Sequence, residues 1–302
     1  MAPASPGSGS YHFPANVRAF CPAHTSLKDQ LYTEAMYRPS TPGVILHVPH
    51  ASSLIPGDLR NQFLLDDDAL ALELDRLTDH YTDELFAFTH QDVKTLQFPV
   101  SRFVVDPERF ADDAQEPMAE RGQGVIYTKT TAGDALRRQL QVGERESLLE
   151  RYYVPHHRAL NAATERALAS LGVATIIDAH SFPDAPLSVD LSQKIPRPDI
   201  CLGTDTDHTP EELLDIVRGP FVDSGYTVRI NEPYAGTIVP LSYYGTNTRV
   251  SSIMIEINRR VYLDGEPGNL TKKADLTPLE RTIQHAIEAV ITWTNSQAHV
   301  TS

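Results

Sequence analysis

Two histidines, a strand glutamate and a helix aspartate are the residues of this 302-residue chain whose types and spacing could do chemistry. His50 follows the apolar run Val44-Ile45-Leu46-His47-Val48, and His180 closes the run that starts Val173-Ala174-Thr175-Ile176-Ile177 and continues through Asp178-Ala179. Short β-branched runs of this kind make buried strands, and in open α/β sheets ligands collect beyond the C-terminal strand ends. Both histidines therefore belong at one sheet edge. A catalytic zinc takes three protein ligands from His and Asp/Glu and leaves a fourth position for water. Asp75 or Asp79, on the helical segment that begins near Asp66, could supply the third ligand, and spacing alone leaves both open.

Glu256 lies in Ser252-Ile253-Met254-Ile255-Glu256-Ile257-Asn258, where a carboxylate is out of place unless it is paired or functional. It is a candidate general base for water activated by a metal, or else the outward-facing residue of an alternating strand. Arg102 and Arg109 are candidate carboxylate clamps, because a planar guanidinium binds a carboxylate through two parallel hydrogen bonds. Arg102 is also spaced for an internal ion pair with Asp106. Glu256 and Arg102 are thus the candidate catalytic residues. Arg102, Asp106, Arg109, Asn231, Gly236 and Tyr244 are the candidate substrate contacts, the last three from a Gly/Tyr/Pro-rich stretch. His156 and His157, adjacent on a helix, point in different directions and make a poor chelate. His80, beside Asp79, could orient it.

The elements that must position these residues alternate between strand and helix. Leu70, Leu74, Leu77, Tyr81, Leu85 and Phe88 recur at spacings of three and four, which predicts one amphipathic helix over 66–88. Thr95–Phe98 and Arg102–Val105 read as strand pieces around Pro99, and 112–124 as a polar loop. The segment 134–171 reads as helical, with Pro155 interrupting it. Beyond it come a strand and turn over 198–204, a capping box in Thr209-Pro210-Glu211-Glu212, strands over 226–230 and 252–257, and a final helix from Thr277 to about Trp293. This order gives an α/β fold.

Composition narrows the function classes. The net charge of −14 disfavours nucleic acid and anionic lipid as partners. With only Cys21 and Cys201, and no C-x-x-C spacing, a metal must be held by nitrogen and oxygen. No run of about 18 apolar residues and no secretory signal stand in the sequence, so a cytoplasmic location without a membrane span is expected. Residues 1–40, with an Ala/Pro/Gly/Ser-rich start, are expected to form a flexible extension, and 41–298 a single domain.

Together the segments from about Val44 to Asp264 resemble the N-formylglutamate amidohydrolases. The resemblance rests on Val48-Pro49-His50-Ala51, Thr78-Asp79-His80-Tyr81 with Glu84-Leu85-Phe86, Ser101-Arg102-Phe103-Val104-Val105-Asp106, Asp178-Ala179-His180-Ser181, Leu202-Gly203-Thr204 and Ile255-Glu256-Ile257 before Tyr262-Leu263-Asp264. It implies a three-layer α/β/α sandwich with a mixed central sheet, similar to the zinc carboxypeptidases. It further implies one Zn2+ per chain on His50, Asp79 (over Asp75) and His180, and Glu256 as general base. The implied activity is hydrolysis of the amide of a small N-formyl or N-acyl amino acid such as N-formylglutamate, a step in amino-acid metabolism. The alternatives are a carboxypeptidase-like or other N-acyl-amino-acid hydrolase of different specificity, and a metal-dependent binding protein without turnover. Two departures bear on substrate: Pro107-Glu108-Arg109 stands where the family usually has Leu-Asn-Arg, and Val239-Pro240-Leu241 stands where it usually has a basic residue. Both imply a changed carboxylate pocket.

Overall fold

The computed structural model describes residues 41–300, so the expected N-terminal extension lies outside the described residues. In chain order the elements are β1 (Val44–Val48), α1 (Asp67–Leu77), α2 (Thr82–Leu85), β2 (Val93–Gln97), α3 (Glu144–Leu148), α4 (Val154–Leu171), β3 (Ala174–Phe182), β4 (Ile200–Gly203), α5 (Glu211–Asp223), β5 (Val228–Ile230), β6 (Val250–Asn258), a short hairpin of β7 (Leu263–Asp264) and β8 (Thr271–Lys272), and α6 (Thr277–Val300). Six strands form one sheet in the order β2-β1-β3-β6-β4-β5. The pairings are parallel except β4 with β6, so the central sheet is mixed, as expected.

Strands β1, β3 and β6 are buried along their whole length, which explains why they read as near-continuous apolar runs. Their side chains alternate between two layers. Val44, Leu46, Val48, Ile177, Ala179, Ile253, Ile255 and Ile257 pack against α5 and α6 through Leu213, Val217, Phe221, Ile283 and Ile287. Ile45, Ile176 and Val250 pack on the other face against Leu160 and Ala163 of α4. Helices on both faces make three layers. The period of two then places His47, Asp178, His180 and Glu256 on the α4 side, nearer the C-terminal ends of their strands than Ile45, Ile176 and Val250. Register completes the placement: His47 is opposite Asp178, and His180 is opposite Glu256.

Several expected elements are corrected. The single helix over 66–88 is two, because Asp79 N–H donates to the His50 carbonyl at 3.0 Å and Tyr81 adopts a left-handed conformation at φ 60°. A tertiary hydrogen bond to the sheet edge outweighs the helical period there. Arg102–Val105 is a turn rather than a strand, closed by Val104 N–H to Ser101 O at 2.8 Å. Helix does not begin at 134 but at Glu144, and a π-helical stretch, Leu149–Tyr153, joins α3 to α4. Pro155 lies just beyond that stretch inside a run that is helical on both sides, so the expected interruption takes the form of a wider π turn just before a residue that has no N–H to donate. The Thr209 hydroxyl does not cap α5; it donates to the Ser252 carbonyl at 2.7 Å and ties the helix entry to β6. His180 stands inside β3 rather than beyond it, and α6 runs on to Val300.

The stretch 98–143 has little regular structure, yet much of it is buried. Phe98, Val100, Val104, Val105, Val125 and Ile126 form one small core, and Phe103, Tyr127 and Leu136 pack with Leu70 and Leu77 of α1 in another. Buried Arg137 donates to Gln62 Oε1 at 2.8 Å and to the Phe103 carbonyl, and Glu73 accepts from Thr131. These contacts hold a long irregular segment in place over the polar end of the sheet.

Gly203 closes β4 where a Cβ would lie 2.2 Å from the Gly236 carbonyl oxygen and 2.4 Å from Met254 Cε. Gly203→Ala should therefore push the 233–238 segment away from the sheet and cost about 1–3 kcal/mol. Chemical denaturation checks this, and an unchanged midpoint would contradict it.

Candidate active site

At the C-terminal end of β1 and β3 a cavity of about 590 Å³ opens, lined among others by His50, Asp79, His180 and Glu256. His50 comes from the turn after β1, Asp79 from the break between α1 and α2, His180 from β3 and Glu256 from β6. All four side chains are buried. His50 Nδ1 lies 3.8 Å from Asp79 Oδ2, and His180 Nδ1 lies 3.1 Å from the same oxygen. Donor atoms of these three residues fall within 4.8 Å of one another.

Each histidine is held from behind by a carboxylate. His50 Nε2 donates to Asp106 Oδ1 at 2.9 Å, and His180 Nε2 donates to Asp178 Oδ1 at 3.1 Å. A proton fixed on Nε2 leaves the Nδ1 lone pair for a metal, the arrangement by which outlying carboxylates orient metal-binding imidazoles. His50 Nδ1 is buried with no hydrogen-bond partner, which fits a metal ligand better than a core histidine.

Electrostatics agree with that fit. Burial pushes the Asp79 carboxyl up, but the hydrogen bond and charge of His180, with His50 and Arg259, outweigh it and hold it at about 2. Burial pushes His180 down, but Glu108 and Asp178 outweigh it and hold its imidazolium well above the ordinary range. Burial is the main cause lowering His50. So many negative groups around a cationic imidazole make a site in which a divalent cation can replace protons. Two imidazoles and a carboxylate are a donor set that would suit zinc.

Glu256 behaves differently. Burial, reinforced by Asp79 and Glu108, pushes its carboxyl up to about 8 against the pull of His180, and its Oε2 has no hydrogen-bond partner. A carboxyl raised toward neutrality and facing the same cavity is what proton transfer near pH 7 requires.

The other candidates divide. Arg109 and Gly236 line the cavity. Arg102 does too, but its guanidinium is committed, Nη2 and Nε lying 2.9 and 3.2 Å from Asp106 Oδ2 and Nε 3.0 Å from the Tyr127 hydroxyl. Asp106 is fully buried behind His50, and its oxygens accept from His50, Arg102, Tyr127 and the Glu108 N–H. No valence is left there for substrate, so its expected contact role is replaced by support of His50. Asn231 is a turn residue at φ 55° whose side chain binds Thr204, because a left-handed position favours Asn. Tyr244 faces Asp205 and stacks on His208, lining a smaller neighbouring cavity. Asp75 is turned away from the cavity, accepting from the Gly268 N–H at 2.8 Å.

Glu108, Asp178, His47 and Arg259 complete the surroundings and were not singled out as site residues by the sequence. Glu108 Oε2 lies 3.1 Å from His180 Nε2 and 3.6 Å from His50 Nδ1. His47 Nδ1 donates to Asp178 Oδ1 at 2.8 Å, and its Nε2 lies 2.8 Å from His156 Nε2. His47, Glu108 and Asp178 form a second group of metal-type donors. Asp178 Oδ1 there already accepts from two imidazoles, while its Oδ2 accepts from the Ile238 N–H, so this group is read as support for His180. A histidine in the otherwise apolar run Val44–Val48 was the available signal.

A model of the N-formylglutamate amidohydrolases matches residues 43–263. The chain belongs to the N-formylglutamate amidohydrolase family. Among solved structures, the N-formylglutamate amidohydrolase of Ralstonia eutropha JMP134 shares the fold at a TM-score of 0.73 and 24% identity, over 85% of this chain and 95% of that one. The gene product Atu2144 of Agrobacterium tumefaciens superimposes with a TM-score of 0.56 at 18% identity, over 85% of this chain and 91% of that one. No curated protein matches the chain. Family membership agrees with the resemblance read from the sequence and makes an amide-cleaving hydrolase the activity class. None of the described helices is long and apolar enough to cross a membrane.

Two outcomes follow from this geometry. Asp106→Asn removes the charge that fixes His50, and zinc affinity should fall roughly 10- to 100-fold, read by competition with a chromophoric chelator. Glu256 keeps its proton in the fold up to about 8, whereas the unfolded chain loses it near 4.5. Deprotonation of the unfolded chain therefore lowers stability as pH rises between those values. Metal-free Glu256→Gln should melt higher than metal-free parent at pH 8 and equally below pH 4; equal melting at both would contradict the assignment.

Proposed function

We propose that the chain is a zinc-dependent hydrolase that cleaves the amide of an N-formyl or other N-acyl amino acid, with one zinc per chain on His50, Asp79 and His180. The observation that carries this reading is the convergence of unpartnered buried polar atoms. His50 Nδ1, Glu256 Oε2, Arg109 Nε and Gln123 Nε2 all lack a hydrogen-bond partner, and all four residues line one cavity. Buried polar groups are almost always satisfied, so four orphans in one place call for a ligand.

Zinc bound there would supply Lewis acidity, polarising the scissile carbonyl and acidifying a water. Glu256, directly across the strand pair from His180, takes the proton of the attacking water and delivers it to the departing amide nitrogen. The positive charge of a zinc bound beside it would oppose the effect of burial and leave Glu256 ionised to take that proton. Burial keeps its proton affinity high enough to hold it between the two transfers. Asp106 and Asp178 keep the two imidazoles in the tautomer that presents Nδ1. Arg109 offers its free Nε to the substrate carboxylate, while Arg102, bound to Asp106 and Tyr127, fixes the wall beside it. Water approaches from the cavity and the free amino acid leaves through it.

Glu256→Gln preserves shape and removes the base. It should retain one equivalent of zinc while kcat for release of the carboxylic acid falls by about 10²- to 10⁴-fold. Retained zinc with full turnover would remove Glu256 from the reaction. His180→Ala protein that still binds one tight equivalent of zinc would count against the ligand set.

A further inference from the structure

The cavity lining is chemically mixed. Beside the candidate metal ligands, Glu256, Arg109 and Gln123, it includes the apolar residues Phe110, Pro117, Met118, Phe182, Leu187 and Leu191. Phe182 and Met118 are buried, whereas Phe110 and Leu191 are large apolar side chains left 41% and 69% exposed at the mouth. Exposed apolar groups next to a deep polar site are a binding surface rather than incidental exposure.

The cations of the cavity are mostly committed. Arg76 pairs with Glu73, itself anchored by Thr131. Arg102 is bound to Asp106 and Tyr127, and Arg259 to the Arg76 carbonyl and Asp79. Arg109 is the exception among these four, its Nε free of any hydrogen bond and its nearest carboxylates 3.6 and 3.7 Å away at Asp106 and Glu116. Gln123 Nε2, also buried and unpartnered, is a second free donor in the same wall. These two donors provide for one carboxylate. Once Arg109 is engaged, a second carboxylate on the substrate would meet only arginines already bound to partners within the protein.

Building on the proposed amide hydrolysis, we infer that the substrate is an N-acyl amino acid with a single carboxylate and an apolar side chain. Arg109 and Gln123 hold that carboxylate, and the apolar wall takes the side chain. N-Formylglutamate, with two carboxylates, is the disfavoured member of the class.

The test uses zinc-loaded full-length protein and a matched panel of N-formyl-leucine, N-formyl-phenylalanine, N-formylglutamate and N-formylaspartate. The apolar pair should exceed the acidic pair in kcat/KM by roughly 10- to 100-fold, since an unpaired charge in an apolar site is rejected strongly. Equal or higher values for N-formylglutamate overturn the inference. Binding is measured in parallel by calorimetry on zinc-loaded Glu256→Gln, so that specificity is read apart from turnover. Tighter binding of N-formyl-leucine than of N-formylglutamate supports the inference even if no compound is cleaved, a result that would remove only the proposed reaction. Tighter binding of N-formylglutamate, or binding of neither, overturns it. Leu191→Arg, at a 69% exposed position in the cavity lining, should shift the preference toward N-formylglutamate by roughly tenfold. No shift would detach the wall from specificity.

Discussion

Two buried carboxylates gripping the far nitrogens of two histidines are the interaction on which the site depends. Asp106 fixes His50 and Asp178 fixes His180, and each leaves an Nδ1 facing Asp79. Neither carboxylate could be buried alone, since an isolated charge in the interior costs several kcal/mol. Asp106 is stabilised by Arg102, His50 and the Tyr127 hydroxyl, and Asp178 by His47, His180 and a backbone amide. Support and site are therefore one network. The irregular segment 98–143 exists in its folded form partly because it carries the Asp106 half of it.

The sheet supplies the other half through its period. Alternate residues of β1, β3 and β6 face α5 and α6 with aliphatic side chains, and the intervening ones face α4. Near the C-terminal ends, the α4-facing positions switch from Ile45, Ile176 and Val250 to His47, Asp178, His180 and Glu256. A shift of one residue in the pairing of β3 with β6 would carry Glu256 to the opposite layer. The largely apolar α5/α6 face prevents that shift, so the packing that stabilises the fold also aims the candidate base.

The sequence made three of the main residues visible for a simple reason. His50, His180 and Glu256 are polar groups at the ends of, or inside, apolar runs, and burial of such groups needs a purpose. His47 and Asp178 carry the same signal, but they read as strand interior and end. Asp79 and Asp75 were inseparable by helical spacing, because the break that turns Asp79 inward depends on a hydrogen bond to His50, 29 positions earlier in the chain. Arg102 and Asp106 were correctly spaced for their ion pair, yet only tertiary contacts show that the pair excludes substrate from Asp106. Asn231 belongs to a turn for local conformational reasons that mimic a binding-loop composition. The 98–143 segment was illegible as an ordered unit because its order comes from its own small cores and not from any periodic pattern.

The account turns on where the metal sits. A crystal structure of the zinc-loaded protein tests it most directly. Zinc within about 2.0–2.2 Å of His50 Nδ1, His180 Nδ1 and an Asp79 oxygen is the predicted result, with Asp106 and Asp178 still on the far nitrogens. Zinc held instead by His47, Glu108 and Asp178, or no zinc at either group, would contradict it.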